Sequence, residues 1–188
     1  PVSLDDLSAY LDYGLKATPE MRRKRFPLSE RAKLVPLELV QSWKVLLGIV
    51  TVSFVLTLMF EGAGGATLLY DAVPAIGAVL CGACITPLLL PYLPGRAFSL
   101  KGALVGAVFS GLFVAITTAP VSYAIFIVGV GITVSSFLAM NFTGASTFTS
   151  LSGVKREMRF ALPLQAGMLV LAIAGRVLAE VLLKGVGP

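Results

Sequence analysis

The chain has 188 residues, 56% of them hydrophobic and 13% charged. An ordinary soluble domain carries about 45–50% apolar and about 25% charged residues, so a water-soluble globule is disfavoured, and a disordered chain, which needs low hydrophobicity and high charge, is excluded. Fifteen Lys and Arg against ten Asp and Glu leave +5, and these charges gather in a few flanks, as bilayer topology requires, so no nucleic-acid partner is expected.

The expected fold is an all-α membrane protein: a five-transmembrane-helix bundle with an amphipathic N-terminal cytoplasmic segment. Residues 1–43 read as that cytoplasmic linker with interfacial helices, and 44–188 as the membrane domain. Ser3 offers a helix cap, with Asp5 and Asp6 in the first turn, and Leu4, Leu7, Leu11 and Leu15 recur at helical spacing up to Pro19. The basic run Arg22, Arg23, Lys24 and Arg25 follows and is expected to bind lipid headgroups. A second short helix is expected from Ser29 or Glu30, broken or restarted at Pro36. Trp43 and Lys44 sit where an interfacial anchor belongs.

Spans are predicted at about 45–60, 72–93, 100–118, 121–140 and 161–183. Each approaches the roughly 20 apolar residues that a bilayer crossing needs. The second contains Pro74, Pro87 and Pro91, which free carbonyls that neighbours must satisfy. The segments around Glu61 and Asp71, and between spans three and four, hold no Lys or Arg. The N-terminal segment, the 96–101 turn and the 141–160 loop hold nearly all of them. The positive-inside rule then puts the N-terminus in the cytoplasm and the C-terminus outside. The chain opens on Pro1 without a signal-peptide pattern, and reads as a piece of a longer protein.

Histidine is absent, which removes the commonest general base and metal ligand. Cys81 and Cys84 form a C-x-x-C inside span two. Two thiolates at that spacing suit a soft metal or redox chemistry, and two thiols suit tight helix packing; packing is the favoured reading. Arg176 and Glu180, four residues apart in span five, are read as an intramembrane ion pair, structural in preference to an ion path. Gly102 and Gly106 have the spacing of close helix contact, within the chain or between copies. The segment holding Thr143, Ser146, Thr147, Thr149, Ser150 and Ser152, followed by Lys155, Arg156 and Arg159, is the oddest stretch. Its hydroxyls serve to cap the next helix or to dock a partner.

Four stretches carry a resemblance. They are Lys16-Ala17-Thr18-Pro19-Glu20-Met21-Arg22-Arg23, Leu34-Val35-Pro36-Leu37-Glu38-Leu39, and Leu93-Pro94-Gly95-Arg96-Ala97-Phe98-Ser99-Leu100-Lys101-Gly102. The fourth is 140–158, with Thr149-Ser150-Leu151-Ser152-Gly153-Val154-Lys155-Arg156-Glu157-Met158. Together they resemble the C-terminal membrane region of the HgcA family, the corrinoid proteins of microbial mercury methylation. Membrane-linked relatives of the corrinoid iron–sulfur protein of the acetyl-CoA pathway share the style.

The resemblance implies a multi-pass protein of a prokaryotic cytoplasmic (inner) membrane. It implies an upstream corrinoid (cobalamin) domain and a ferredoxin-like HgcB-type partner that supplies electrons. The implied chemistry is methyl transfer from methyl-corrinoid to Hg(II), with the cofactor carrying the reaction. The family's cobalt-ligating cysteine lies in Asn-x-Trp-Cys-Ala-x-Gly-Lys. That motif is not in this chain, whose one tryptophan, Trp43, adjoins neither cysteine. No catalytic or cofactor-binding residue is therefore carried onto a position here. The expectation is a non-catalytic anchoring and docking domain of a corrinoid-dependent methyltransferase. The alternatives are a small transporter or channel, and the membrane anchor of an acetyl-CoA-pathway corrinoid protein.

Overall fold

A computed structural model describes residues 7–16, 18, 28–61, 67–145 and 151–185, except the side chains of 30, 61, 67–70, 143–145, 151–152 and 183–185. The described residues are helical and contain no strand. In chain order the helices are α1 (Leu7–Asp12), α2 (Leu28–Glu61), α3 (Thr67–Leu80), α4 (Thr86–Leu89), α5 (Phe98–Thr117), α6 (Val121–Ala145) and α7 (Leu151–Gly185). A wide π turn, Cys81–Ile85, joins α3 to α4. Five segments are long and apolar enough to cross a membrane: 31–60, 71–89, 98–117, 121–142 and 153–182.

Helix α6 is the hub. Its apolar window is 72% buried, against 17–44% for the other four. Tyr123, Phe126, Ile127, Val130, Val134 and Leu138 form its core face, packed on Leu56, Ala78, Val79 and Ala83. The polarity runs opposite to that of a soluble bundle. Asp71, Ser110, Ser135 and Arg176 are at most 1% exposed, while Ile116 is 79% exposed and Met59 and Leu164 are each 71% exposed. An apolar surround is the environment in which that arrangement is favourable.

Glycines set the closest contact. Gly102 and Gly106 of α5 press on Ser135, Ala139 and Gly131 of α6, where a Cβ would collide with backbone. Their spacing therefore serves packing inside this chain. Helix α1 is shorter than its leucine spacing predicts. It ends at Gly14 and Leu15, both at φ +64°, with Leu15 N–H donating to Tyr10 O at 3.1 Å.

Three boundaries differ from the sequence expectation. Helix α2 runs unbroken through Pro36 and across the expected 43/44 boundary, so 28–43 are continuous with the helix that holds the first expected span. Arg31, 7% exposed, anchors this end by donating to Leu88 O at 2.9 Å and Pro87 O at 3.4 Å. Helix α3 starts at Thr67, which brings Asp71 into the bundle at 1% exposure, where the charge pattern of the sequence predicts an outer loop. In the expected 141–160 connection, where the sequence predicts helix only over Val154–Phe160, α6 continues to Ala145 and α7 starts at Leu151.

Carbonyls at the end of the second span lose their helical partners. Pro91 has no N–H to give to the carbonyl of Pro87 four residues earlier, and the helix ends at Leu89, which leaves the carbonyl of Leu90 without a helical partner. Arg31 supplies the first, and Lys101 Nζ donates to Leu90 O at 2.7 Å. Just ahead of Pro87, the π turn keeps Cys81 O satisfied from Thr86, whose hydroxyl donates to it at 2.7 Å.

Candidate functional site

The buried polar cluster draws on α2, α3, α6 and α7. Ser53 and Thr57, four residues apart, share one face of α2. Asp71 Oδ1 accepts from Ser53 Oγ at 2.6 Å, from Tyr123 OH at 2.9 Å and from Thr57 Oγ1 at 3.2 Å. Arg176 Nη2 donates to the same Thr57 hydroxyl at 3.1 Å. The guanidinium lies over the Tyr123 ring, 4.5 Å from its centroid, and 5.6 Å from that of Phe126. One hydroxyl thus links a buried carboxylate to a buried guanidinium, with an aromatic face for the cation. Asp71 Oδ2 is buried without a hydrogen-bond partner. It borders a void of about 10 Å³ lined also by Ser53 and Tyr123.

Glu180, one turn beyond Arg176, accepts from Ser122 Oγ at 2.6 Å. Both members of the sequence-read pair are buried, but each reaches across the bundle: Arg176 to α2, Glu180 to α6. The arrangement ties four helices together and holds both signs of charge in the interior.

A second polar region lies at the end of the bundle where α2, α5 and α7 begin. Ser99 N–H donates to Glu157 Oε1 at 2.6 Å. With Arg31 on Pro87 and Leu88, and Lys101 on Leu90, this contact gathers parts of the chain far apart in sequence. Lys155, Arg156 and Arg159 are exposed on the first turns of α7, and Arg96 is exposed in the turn before α5. Of the expected docking residues, Thr143 and Ser152 fall within α6 and α7, though their side chains lie outside those described. Ser146, Thr147, Thr149 and Ser150 lie outside the described residues, as do Arg22, Arg23, Lys24 and Arg25.

Cys81 is buried and Cys84 half-buried in the π turn, both as free thiols. Among the described residues no group of three or more His, Cys, Asp or Glu is placed to hold a metal ion. The sequence reading missed Asp71, Ser53, Thr57 and Tyr123. The available signal was the apolar run starting at Leu68, ahead of the acid, with two hydroxyls at i, i+4 in the preceding span. No family model, curated protein or solved structure matches the chain.

Proposed function

We propose that this chain is the membrane-anchoring and docking domain of a corrinoid-dependent methyltransferase that passes a methyl group to Hg(II). Its catalytic cobalamin domain would lie upstream, and its basic end would face the cytoplasm of a prokaryotic inner membrane. One observation carries the reading. Two of the four stretches that resemble the HgcA family meet at one end of the bundle, where Ser99 of 93–102 donates to Glu157 of 140–158. Arg31, just ahead of 34–39 on α2, is held at the same end by Leu88 O of α4, the helix that leads into 93–102. Segments alike for packing alone would be spread along the spans. Segments gathered at one basic end suit a platform for a corrinoid domain and a ferredoxin-like partner, whose acidic surface Lys155 and Arg156 would attract.

Reversing charge tests the platform. In the full-length parent, Lys155→Glu with Arg156→Glu is expected to lower the methyl-transfer rate about tenfold at low ionic strength, and less in high salt, with an unchanged unfolding midpoint. A parent that methylates Hg(II) at the unaltered rate would end the docking reading. Sidedness is tested separately with cysteines engineered at Glu30, Gly64 and Phe148 in a variant lacking Cys81 and Cys84. Positions 30 and 148 are expected to be labelled from the cytoplasmic side and 64 from the opposite side. Labelling of 30 and 64 from one side would reject the orientation.

The buried Asp71–Thr57–Arg176 cluster favours a second reading, a small transporter or channel, because charges inside a membrane domain often mark ion paths. Proton or sodium flux through liposomes containing the chain, abolished by Asp71→Asn, would select it. Flux at the background of empty liposomes would leave the anchoring role.

A further inference from the structure

A pocket of about 200 Å³ opens between α5, α6 and α7, on the half of the bundle nearer the basic end. Its walls are mainly apolar, with Ala103, Ile132 and Met168 among them. Four polar residues line it: Ser99 at the start of α5, and three on α6 and α7. Thr133 and Ser136 are one turn apart on α6, and Gln165 faces them from α7, its Nε2 donating to Ser136 Oγ at 2.8 Å. Gln165 is 8% and Thr133 7% exposed, yet Gln165 Oε1 and Thr133 Oγ1 have no hydrogen-bond partner.

Thr133 contrasts with other hydroxyls of the bundle. Thr51, Ser110 and Thr117 each return their hydroxyl to the carbonyl four residues earlier, the ordinary way of satisfying it inside a helix. Thr133 does not, and it lines the pocket. Two unsatisfied buried polar atoms in one apolar pocket are costly for a protein to keep, unless something else pairs with them.

We propose that this pocket binds the head of a neutral, hydroxyl-bearing amphiphile drawn from the bilayer. The proposal rests on the bilayer-spanning reading above and is independent of corrinoid chemistry. The ligand is neutral because no lining residue carries a charge. A hydroxyl fits because it both donates and accepts: it gives a hydrogen to Gln165 Oε1 and takes one from Thr133. With the amide turned over, the free end becomes a donor and a hydroxyl still answers it. An alkane leaves both atoms unpaired, and a carboxylate brings an uncompensated charge into an apolar site. The volume falls below the about 300 Å³ of a small-molecule site, so the pocket takes the head and first carbons only. The exposed Leu100 and Leu164 at its rim leave it open on the outer surface of the bundle, where a tail would lie.

The test uses a long-chain alcohol carrying a photoreactive diazirine, with the full chain in nanodiscs and, in parallel, in detergent micelles. Adducts mapped by mass spectrometry are expected on the α5–α7 walls. Excess 1-decanol should compete; decane and decanoate should not. Thr133→Val with Gln165→Leu is expected to cut labelling about tenfold, one to two hydrogen bonds' worth, without lowering the thermal midpoint. Ala103→Leu, which fills the pocket, should do the same. Equal competition by decane, equal labelling of the variants, or adducts scattered over the apolar surface would overturn the site. Failure to enter nanodiscs, with specific labelling kept in micelles, would count against the spanning reading and leave the pocket standing.

Discussion

Replacing Arg176 by leucine is expected to cost about 3–5 kcal/mol of bundle stability, the range for removing one partner from a buried charge pair. The side chain is fully buried, and its loss strands the Asp71 carboxylate among apolar helices. It also removes the donor to Thr57 and uncovers the Tyr123 ring. Adding Asp71→Asn should recover most of the loss, because two neutral groups inside the bundle cost less than one uncompensated charge. Glu180→Gln alone should cost about 1 kcal/mol or less, since Ser122 still finds an oxygen acceptor. Unfolding in detergent titrations gives all three values. If Glu180→Gln rescued Arg176→Leu and Asp71→Asn did not, the coupling would run along α7, as the i, i+4 spacing alone suggests, and not across the bundle.

That contrast shows where the sequence was informative. Apolar runs located the five helices long and apolar enough to cross a membrane, because such a helix announces itself by composition. Arg176 and Glu180 stood out as charges in such a run. Their partners did not, because Ser122 and Thr57 are ordinary hydroxyls in apolar helices and pair only after α2, α6 and α7 meet. Asp71 was misjudged for a related reason. A charged residue near the edge of a hydrophobic run marks its end unless other helices shelter it, and Ser53, Thr57 and Tyr123 do so here. The same logic hid the first two turns of α2. Arg31 and Glu38 look like surface residues in sequence, yet both are buried, Arg31 on the carbonyls at the end of α4. The polar stretch after Asn141 read as loop from its hydroxyls and glycines, while helix continues to Ala145 and resumes at Leu151. The second-span prolines were legible as a source of free carbonyls; that Arg31 would take one of them, and Lys101 the carbonyl of Leu90, was not.

Gly106→Val is expected to destabilise the bundle by about 3 kcal/mol, the upper end of the usual cost of overpacking. A Cβ at this position falls on Gly131 O and within 2.8 Å of Ser135 Cβ. One neighbour is backbone, and the other side chain stops at Oγ, so neither has a long, flexible end to swing aside. Relief must come from moving α5 away from α6. That movement opens the contact around Ser110, which is fully buried against Gly131, and releases Gly102 from Ser135 and Ala139. Gly111→Val is the control on the same helix. A Cβ there meets nothing within 4 Å, so its effect should stay within about 0.5 kcal/mol. The pair also separates two uses of the Gly102–Gly106 spacing. Packing inside one chain predicts a lower unfolding midpoint for Gly106→Val at every protein concentration. A glycine seam between copies predicts an unchanged monomer midpoint and a lost dimer by cross-linking. Because α6 is the hub and α5 carries Ser99 to Glu157, the first outcome should also loosen the basic end, seen as faster hydrogen exchange at the start of α7.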